Sequence, residues 1–232
     1  MSNQGSLTWL GHASFRLDTP HGTRIYIDPW LSDNPACPDT EHEPEHVDAV
    51  LVTHGHVDHV GSVMHLWERH RPPVVAPLEV RNWLEAQGLD EDMSLGPNRG
   101  GTVEVAGVRA TYTDARHSSS SPDGTATGEP CGIVVRADGM PTIYFAGDTS
   151  VFGDMALIAR LYRPDVAVLP IGGHFTMDPE QAALALELLG SPRCVPCHYA
   201  TFPLFTGTPE QLRALAPAVR VDAPTPGEPL AL

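Results

Sequence analysis

Residues 53–59 read Thr-His-Gly-His-Val-Asp-His, which places His54, His56, Asp58 and His59 within six positions. Imidazole and carboxylate are the donor types that zinc, manganese and iron accept. A tight turn can aim four such side chains at one point, and Gly55 removes the Cβ that would hinder a sharp bend there. The competing interpretation is a polar loop that happens to be rich in histidine. Four donors at this spacing argue for a metal instead.

Other donors each follow an apolar run that reads as a strand. Residues 24–27 lead to Asp28, 50–52 to the histidine cluster, 110–113 to His117, 143–147 to Asp148, 166–169 to Gly172-Gly173-His174, and 194–197 to His198. If these strands share a sheet edge, their loops converge on one cleft, as is usual for a rigid framework carrying reactive loops. His117 and His198, each taken alone, would read as loop histidines in water. Their place after strands brings them into the set.

His54, His56, Asp58, His59, His117, Asp148 and His198 are too many for one four-coordinate zinc. Two ions about 3.5–4 Å apart can share them, with Asp148 between the two. Two divalent cations are therefore expected, zinc first, with manganese or iron as alternatives. Such a pair would make hydroxide available near neutral pH and stabilise a developing oxyanion. Asp58 and Asp148 would orient the nucleophile. His174 is expected either to give a proton to the leaving group, to touch substrate, or only to fill its Gly-rich turn. His12 reads as a hairpin-turn residue. Ser118, Ser119 and Ser120 read as a solvated loop, with anion binding as the alternative. Trp30, Phe175, Phe202 and Phe205 fall near these loops and would either line a pocket or pack beneath them.

The elements that must hold these residues are short. Strands are expected over 6–10, 13–18, 23–28, 48–53, 73–76, 102–106, 108–114, 131–136, 142–146, 165–169 and 193–197. Hairpin turns are signalled at 106–108 and 137–139. Helices are expected over 61–70, 78–87, 153–162, 179–189 and 209–216. Asp178 with Pro179, and Thr208 with Pro209 and Gln211, supply start signals, while Gly190 supplies a stop. Ala and Leu on most sides of 179–189 suggest a well-buried helix. The loops 29–44 and 118–130 read as irregular, the second as a flexible surface loop or a rim of the site. Strands interleaved with a few helices suggest two packed sheets with helices outside, in one domain over 1–232.

Composition narrows the function. The chain has 232 residues, a net charge of −15, and Arg as its only strongly basic residue type, because Lys is absent. That excludes Schiff-base chemistry and a P-loop lysine. It also argues against gripping long nucleic acid, which needs many cationic contacts. Two divalent cations would move the total only from −15 to −11, yet they would dominate the local field, so a small anionic substrate is compatible with the charge. The start, 1–6, is polar, and no stretch resembles a signal peptide or a membrane span, so a cytoplasmic location is expected.

The four cysteines are Cys37, Cys131, Cys194 and Cys197. Cys194-Val195-Pro196-Cys197-His198 has the spacing of a haem attachment motif or a redox dithiol. The preferred interpretation is two small residues on a buried strand, with His198 as the functional member.

The order Asp28, His54-x-His56-x-Asp58-His59, His117, Asp148, His198 resembles the metallo-β-lactamase superfamily, and the resemblance covers essentially the whole chain. The segments 10–15, 27–29, 147–149 and 169–177 are similar to one branch, bacterial metal-dependent hydrolases related to ascorbate-6-phosphate lactonase. The resemblance implies an α/β fold of four layers, an αββα sandwich, with the metals at one end. It implies that His54, His56 and His117 hold one metal and Asp58, His59 and His198 the other. Asp148 would bridge, and Asp28 would be a buried carboxylate behind them. Redox members of the superfamily carry Glu at the position of His56, so His56 favours hydrolysis. Cys197 departs from the aliphatic residue expected before the last histidine.

The expected activity is therefore hydrolysis of an ester, lactone or phosphodiester in a small molecule. β-Lactam cleavage is disfavoured by the absent export signal. The alternative class is a metal-binding or sensing protein without turnover. No partner beyond the substrate is indicated, and a homo-oligomer is compatible with the sequence.

Overall fold

The computed structural model describes residues 5–232, so Met1–Gln4 of the polar start lie outside the described residues. One sheet has the order β13-β1-β2-β3-β4-β5-β6. Its strands are β1 (Ser6–Trp9), β2 (Phe15–Asp18), β3 (Arg24–Ile27), β4 (Ala49–Leu51), β5 (Val74–Val75), β6 (Ser94–Leu95) and β13 (Pro229–Ala231). The other has the order β12-β11-β10-β9-β8-β7. It is built from β7 (Thr102–Val105), β8 (Val108–Asp114), β9 (Cys131–Arg136), β10 (Ile143–Phe145), β11 (Val166–Pro170) and β12 (Arg193–Cys197). Hairpins make one half of each sheet antiparallel, while β3 to β6 and β10 to β12 run parallel.

Alternation along each strand builds three apolar layers. On β4, Ala49 and Leu51 join the core between the sheets, whereas Val50 faces the helices outside. Those helices are α2 (Val63–His70) and α3 (Leu78–Ala86), which contribute Leu66, Trp67, Val80 and Leu84. The second sheet is covered by α4 (Met155–Tyr162), α5 (Pro179–Leu188) and α6 (Pro209–Leu215), through Met155, Ile158, Ala185, Leu186 and Leu212. The result is the four-layer αββα sandwich. Among the described residues no helix is long and apolar enough to cross a membrane.

The expected start signals act as the sequence predicts. Asp178 accepts a hydrogen bond from the Gln181 N–H at 2.9 Å, and Thr208 and Gln211 form a reciprocal capping box. Besides two 3-10 turns at Asp39–Glu41 and Glu91–Met93, three elements were not anticipated: α1 (Val57–Val60), β6 and β13. Each is four residues or fewer and exists because a neighbour accepts it, as β1 does for β13. The helix expected from residue 61 begins at Val63, since α1 and Gly61 occupy the approach. Helix α5 is also less buried than expected. Leu184 is exposed, because α5 lies in an outer layer and turns only one side to the sheet.

The loop 118–130, expected as a surface loop or a rim, folds back on the histidine cluster. Ser119 and Thr127 are buried, and the Ser119 hydroxyl accepts from the Gly55 N–H at 3.1 Å and lies 2.7 Å from Thr127 Oγ1. This gives Gly55 a different purpose from the one expected. Gly55 has no positive φ; instead, a Cβ there would stand 2.3 Å from Thr127 Oγ1. The residue is small so that a neighbouring loop can clamp the ligand turn.

Candidate metal centre

The parallel strands β3 and β4 of one sheet, and β10, β11 and β12 of the other, deliver their C-terminal ends to one end of the sandwich. That is where sites form in sheets of this kind. Asp28 follows β3, the 54–59 cluster follows β4, Asp148 follows β10 and His198 follows β12. His117 arrives from the loop after β8. Gly172, after β11, leaves room for the His198 carbonyl, from which a Cβ would be 2.1 Å away.

The seven expected donors meet there in two groups. His54, His56 and His117 form one; Asp58, His59, Asp148 and His198 form the other, and in each group the donor atoms lie within 4.8 Å of one another. Asp148 reaches both. Its Oδ2 is 3.1 Å from His198 Nε2 and 3.5 Å from His117 Nε2, while its Oδ1 is 3.5 Å from His59 Nε2.

A buried carboxylate sets the tautomers. Asp28 accepts from the Thr53 N–H at 2.7 Å, from the Thr53 hydroxyl at 2.7 Å and from His59 Nδ1 at 2.8 Å. With its proton given to Asp28, the Thr53 oxygen accepts from His54 Nδ1 at 3.0 Å. His54 therefore presents an unprotonated Nε2 to the site, and His59 would do so once a cation displaces its Nε2 proton. Thr53 was not singled out by sequence, although its place between a strand and a histidine marks it for such a role.

His12 was expected only to form a turn. It does so, with φ of +53°, and its backbone carbonyl accepts from the His198 N–H at 2.9 Å. Its side chain also enters the site. His12 is 1% exposed, and its Nε2 donates to Asp58 Oδ2 at 2.8 Å while Nδ1 lies 2.9 Å from Thr201 Oγ1. A glycine before a histidine in a tight turn was the available signal, and it pointed to backbone shape rather than to the side chain.

The fit to cations can be tested on the protein alone. His59 Nε2 and Asp148 Oδ1 are buried and have no hydrogen-bond partner. Buried polar atoms rarely remain so, since each costs about 1–3 kcal/mol. Two adjacent orphans within a ring of imidazoles and carboxylates would be satisfied by a divalent cation in the second group, while the three imidazoles of the first group supply a donor set of the same kind.

Electrostatics divide the two groups. Burial, reinforced by the neighbouring His59, holds His54 well below the usual imidazole range and lowers His56 and His117, so these rings are neutral. In the second group burial acts the same way but loses to the carboxylates. Asp148, Asp28 and Asp58 hold His59 well above the usual value, and Asp148 with Asp58 pushes His198 up to about 9. Burial disfavours the Asp148 and Asp58 charges, but His198, His59 and His12 outweigh it and hold both acids low. In the metal-free protein the second group thus carries protons that a cation must displace. Below about pH 9, binding to this group should release protons, and affinity should fall as pH falls. Calorimetric titration of metal into the metal-free protein, in two buffers of different ionisation heat at pH 7, should show that release. Identical heats in both buffers would contradict it.

A cavity of about 490 Å³ opens over the two groups, reaching His56 and His117 of the first and Asp58, Asp148 and His198 of the second. Trp30, Phe175, Phe202 and Phe205 line it, together with Ser118, His56 and Asp58. The expected alternatives for these aromatics thus resolve towards the cavity, where Phe175 and Phe202 remain exposed. His174 is exposed, with φ of +60° and its ring 4.4 Å from Phe175. That backbone geometry turns Phe175, rather than His174, into the cavity wall. Ser118 stands at the wall, whereas Ser119 is committed to Gly55 and Thr127. A second hollow of about 530 Å³ lies between hairpin turns, beside Glu104, Arg109 and Asp138, and contains no metal-ligating cluster.

The cysteine motif does no redox chemistry by geometry. Cys194 faces the helices and Cys197 faces the other sheet, three residues apart on one strand, so the thiols cannot pair. All four cysteines are free and buried, and burial pushes the Cys194 thiol well above its ordinary range, away from a reactive thiolate.

The beta-lactamase superfamily domain matches residues 23–199. A UPF0173 metal-dependent hydrolase of Herpetosiphon aurantiacus is 46% identical over 213 residues, covering 90% of this chain and 88% of its own. A second, from Koribacter versatilis, is 45% identical over 232 residues, covering 98% and 99%. Among solved structures, Igni18, a metallo hydrolase from the archaeon Ignicoccus hospitalis, superposes with a TM-score of 0.87 at 34% identity, covering 99% of this chain and 98% of that one. YhfI of Bacillus subtilis, a metallo-beta-lactamase fold protein, shares the fold with a TM-score of 0.71 at 14% identity, covering 98% and 99%. With its sandwich, its two donor groups and these relatives, the chain belongs to the UPF0173 metal-dependent hydrolases of the metallo-β-lactamase superfamily.

Proposed function

We propose that the protein hydrolyses an ester, lactone or phosphodiester bond in a small molecule at a centre of two divalent cations, zinc in the first instance. The observation that carries this is the convergence of seven donors into two groups joined by Asp148 at the floor of one cavity. His54, His56 and His117 would hold one ion, Asp58, His59 and His198 the other, and Asp148 both. When bound, the ions supply Lewis acidity and a water acidified towards neutral pH.

The remaining work falls to the chain. Asp28 and Thr53 fix the Nδ1 protons of His59 and His54 and aim their Nε2 atoms inward, where a cation would take the place of any Nε2 proton. His12 holds one oxygen of Asp58 and so sets the direction of the other. The aromatic walls flank the floor, so a substrate bound across them would displace water there and strengthen the charge interactions. His174 would serve a leaving group extending to the cavity mouth, as a proton donor or a contact. Likeness to the lactonase-related branch supports lactones among the bonds to be tried.

The test begins with metal analysis of protein purified without chelators. Turnover of a lactone, an aryl ester and a phosphodiester is then measured with zinc, manganese or iron restored. Two equivalents of metal and metal-restored turnover are expected. Full metallation with no turnover of any member would favour a binding or sensing protein instead.

A further inference from the structure

The cavity carries information about substrate that the donors do not. Its wall on the His198 side is aromatic and continuous. Phe205 lies 4.9 Å from the His198 ring and 5.6 Å from Phe202, and Phe202 lies 6.3 Å from Trp30. His12 closes the base of this wall, 5.7 Å from Phe205 and 5.4 Å from Trp30. Phe202, 41% exposed, and Phe175, 57% exposed, stand at the mouth with nothing covering them among the described residues. Large exposed aromatics beside a reactive floor are what an apolar ligand group would cover.

Charge points the same way. No Arg is among the described residues that line the cavity, and the chain has no Lys. At the floor, Asp28, Asp58 and Asp148 set three carboxylates against the four positive charges of two divalent cations. A single excess positive charge is left before any nucleophile is counted. Among the described residues no Lys or Arg lines the cavity, where Ser118 offers only a neutral hydroxyl, and the chain as a whole carries −15. An anionic substrate would have to enter against that field and then find no cationic side chain.

We infer that the substrate is an uncharged carboxylic ester or lactone whose acyl part carries an aromatic or alkyl group, and that this group packs on Trp30, Phe202 and Phe205. This rests on the hydrolytic reading proposed above and selects within it, against the phosphodiester and against an anionic substrate. The reaction balances with water alone. Its oxygen bonds to the acyl carbon, the acyl C–O bond breaks, and the leaving oxygen receives a proton while the acid product gives one up.

The experiment uses the metal-loaded protein and matched p-nitrophenyl substrates. Acetate and hexanoate differ only in apolar length; phenylacetate and benzylphosphonate share the benzyl group and differ in charge. We expect kcat/KM for hexanoate to exceed that for acetate by about 10-fold or more, since apolar pockets discriminate methylenes on that scale. Phenylacetate should exceed benzylphosphonate by a similar factor or more. Phe202→Ala should shrink the length preference to within about 3-fold, on the same scale. A second measurement needs no turnover. Hexanamide added to metal-free protein should change the tryptophan fluorescence, and Trp30→Phe should remove that change.

Faster cleavage of the phosphonate, or equal rates at both acyl lengths, would overturn the inference and leave the hydrolytic reading standing. Absence of a Trp30-dependent signal with hexanamide would count against the apolar wall in the same way. Cleavage of neither class would sink the hydrolytic reading and this inference with it.

Discussion

Asp148→Ala should lose at least one metal ion and nearly all turnover. Asp148 belongs to the second group and also approaches the first, with Oδ2 near both His198 and His117 and Oδ1 facing His59. The substitution removes three short approaches at once and leaves His59 and His198, both held towards their charged forms by this carboxylate, without their main counter-charge. A fall in kcat on the order of 10³-fold or more is expected, since removal of one preorganised electrostatic group already costs about 10²–10³. Metal content by elemental analysis should drop below two equivalents. A protein that keeps both ions and the full rate would show that Asp148 does not join the groups. The fold itself should survive, because Asp148 lies at the strand end and not in the apolar layers.

The second large effect belongs to a residue that touches no reacting atom. Asp28→Asn keeps the shape and tolerates the φ of +48° observed there, since Asn is among the residues that enter this region. Asn has one acceptor oxygen, yet three donors converge on Asp28. At least one buried donor must lose its partner, at about 1–3 kcal/mol. The His59 tautomer is then no longer enforced, and neither is the chain through Thr53 to His54. Metal affinity should fall by about 10–100-fold, the range found for partners that orient ligands. Both groups should be affected, because His59 belongs to one and His54 to the other. Competition with a chelator of known affinity measures this directly. Unchanged affinity would show that Asp28 serves stability alone, and thermal unfolding of the metal-free variant separates the two contributions.

The metal donors were legible because their chemistry is local. His54, His56, Asp58 and His59 lie within six positions, and each isolated donor sits just beyond an apolar strand, so type and position are both written in one stretch of chain. The capping signals of α5 and α6 were legible for the same reason. A cap is made by residues three apart, as Asp178 and Gln181 show. The short elements β6 and β13 carry no such signature. Two or three residues of strand are stabilised by the edge they meet, and that edge lies elsewhere in sequence.

His12, Thr53 and the 118–130 loop show where local reading ends. His12 lies 46 residues from Asp58, and Gly55 lies 64 residues from Ser119, so neither contact leaves a mark on its own neighbourhood. The CxxC motif fails in the opposite direction. Its spacing is a local pattern with a known use, but residues three apart on a strand face opposite sides of the sheet. The sequence by itself determined the donor set, the sheet-rich layered architecture and the charge that disfavours nucleic acid. Only the tertiary structure decided which donors gather into each group, which histidine nitrogens face the site and which aromatics wall the cavity. Those properties depend on distances between segments far apart in the chain, and packing of the two sheets is what sets them.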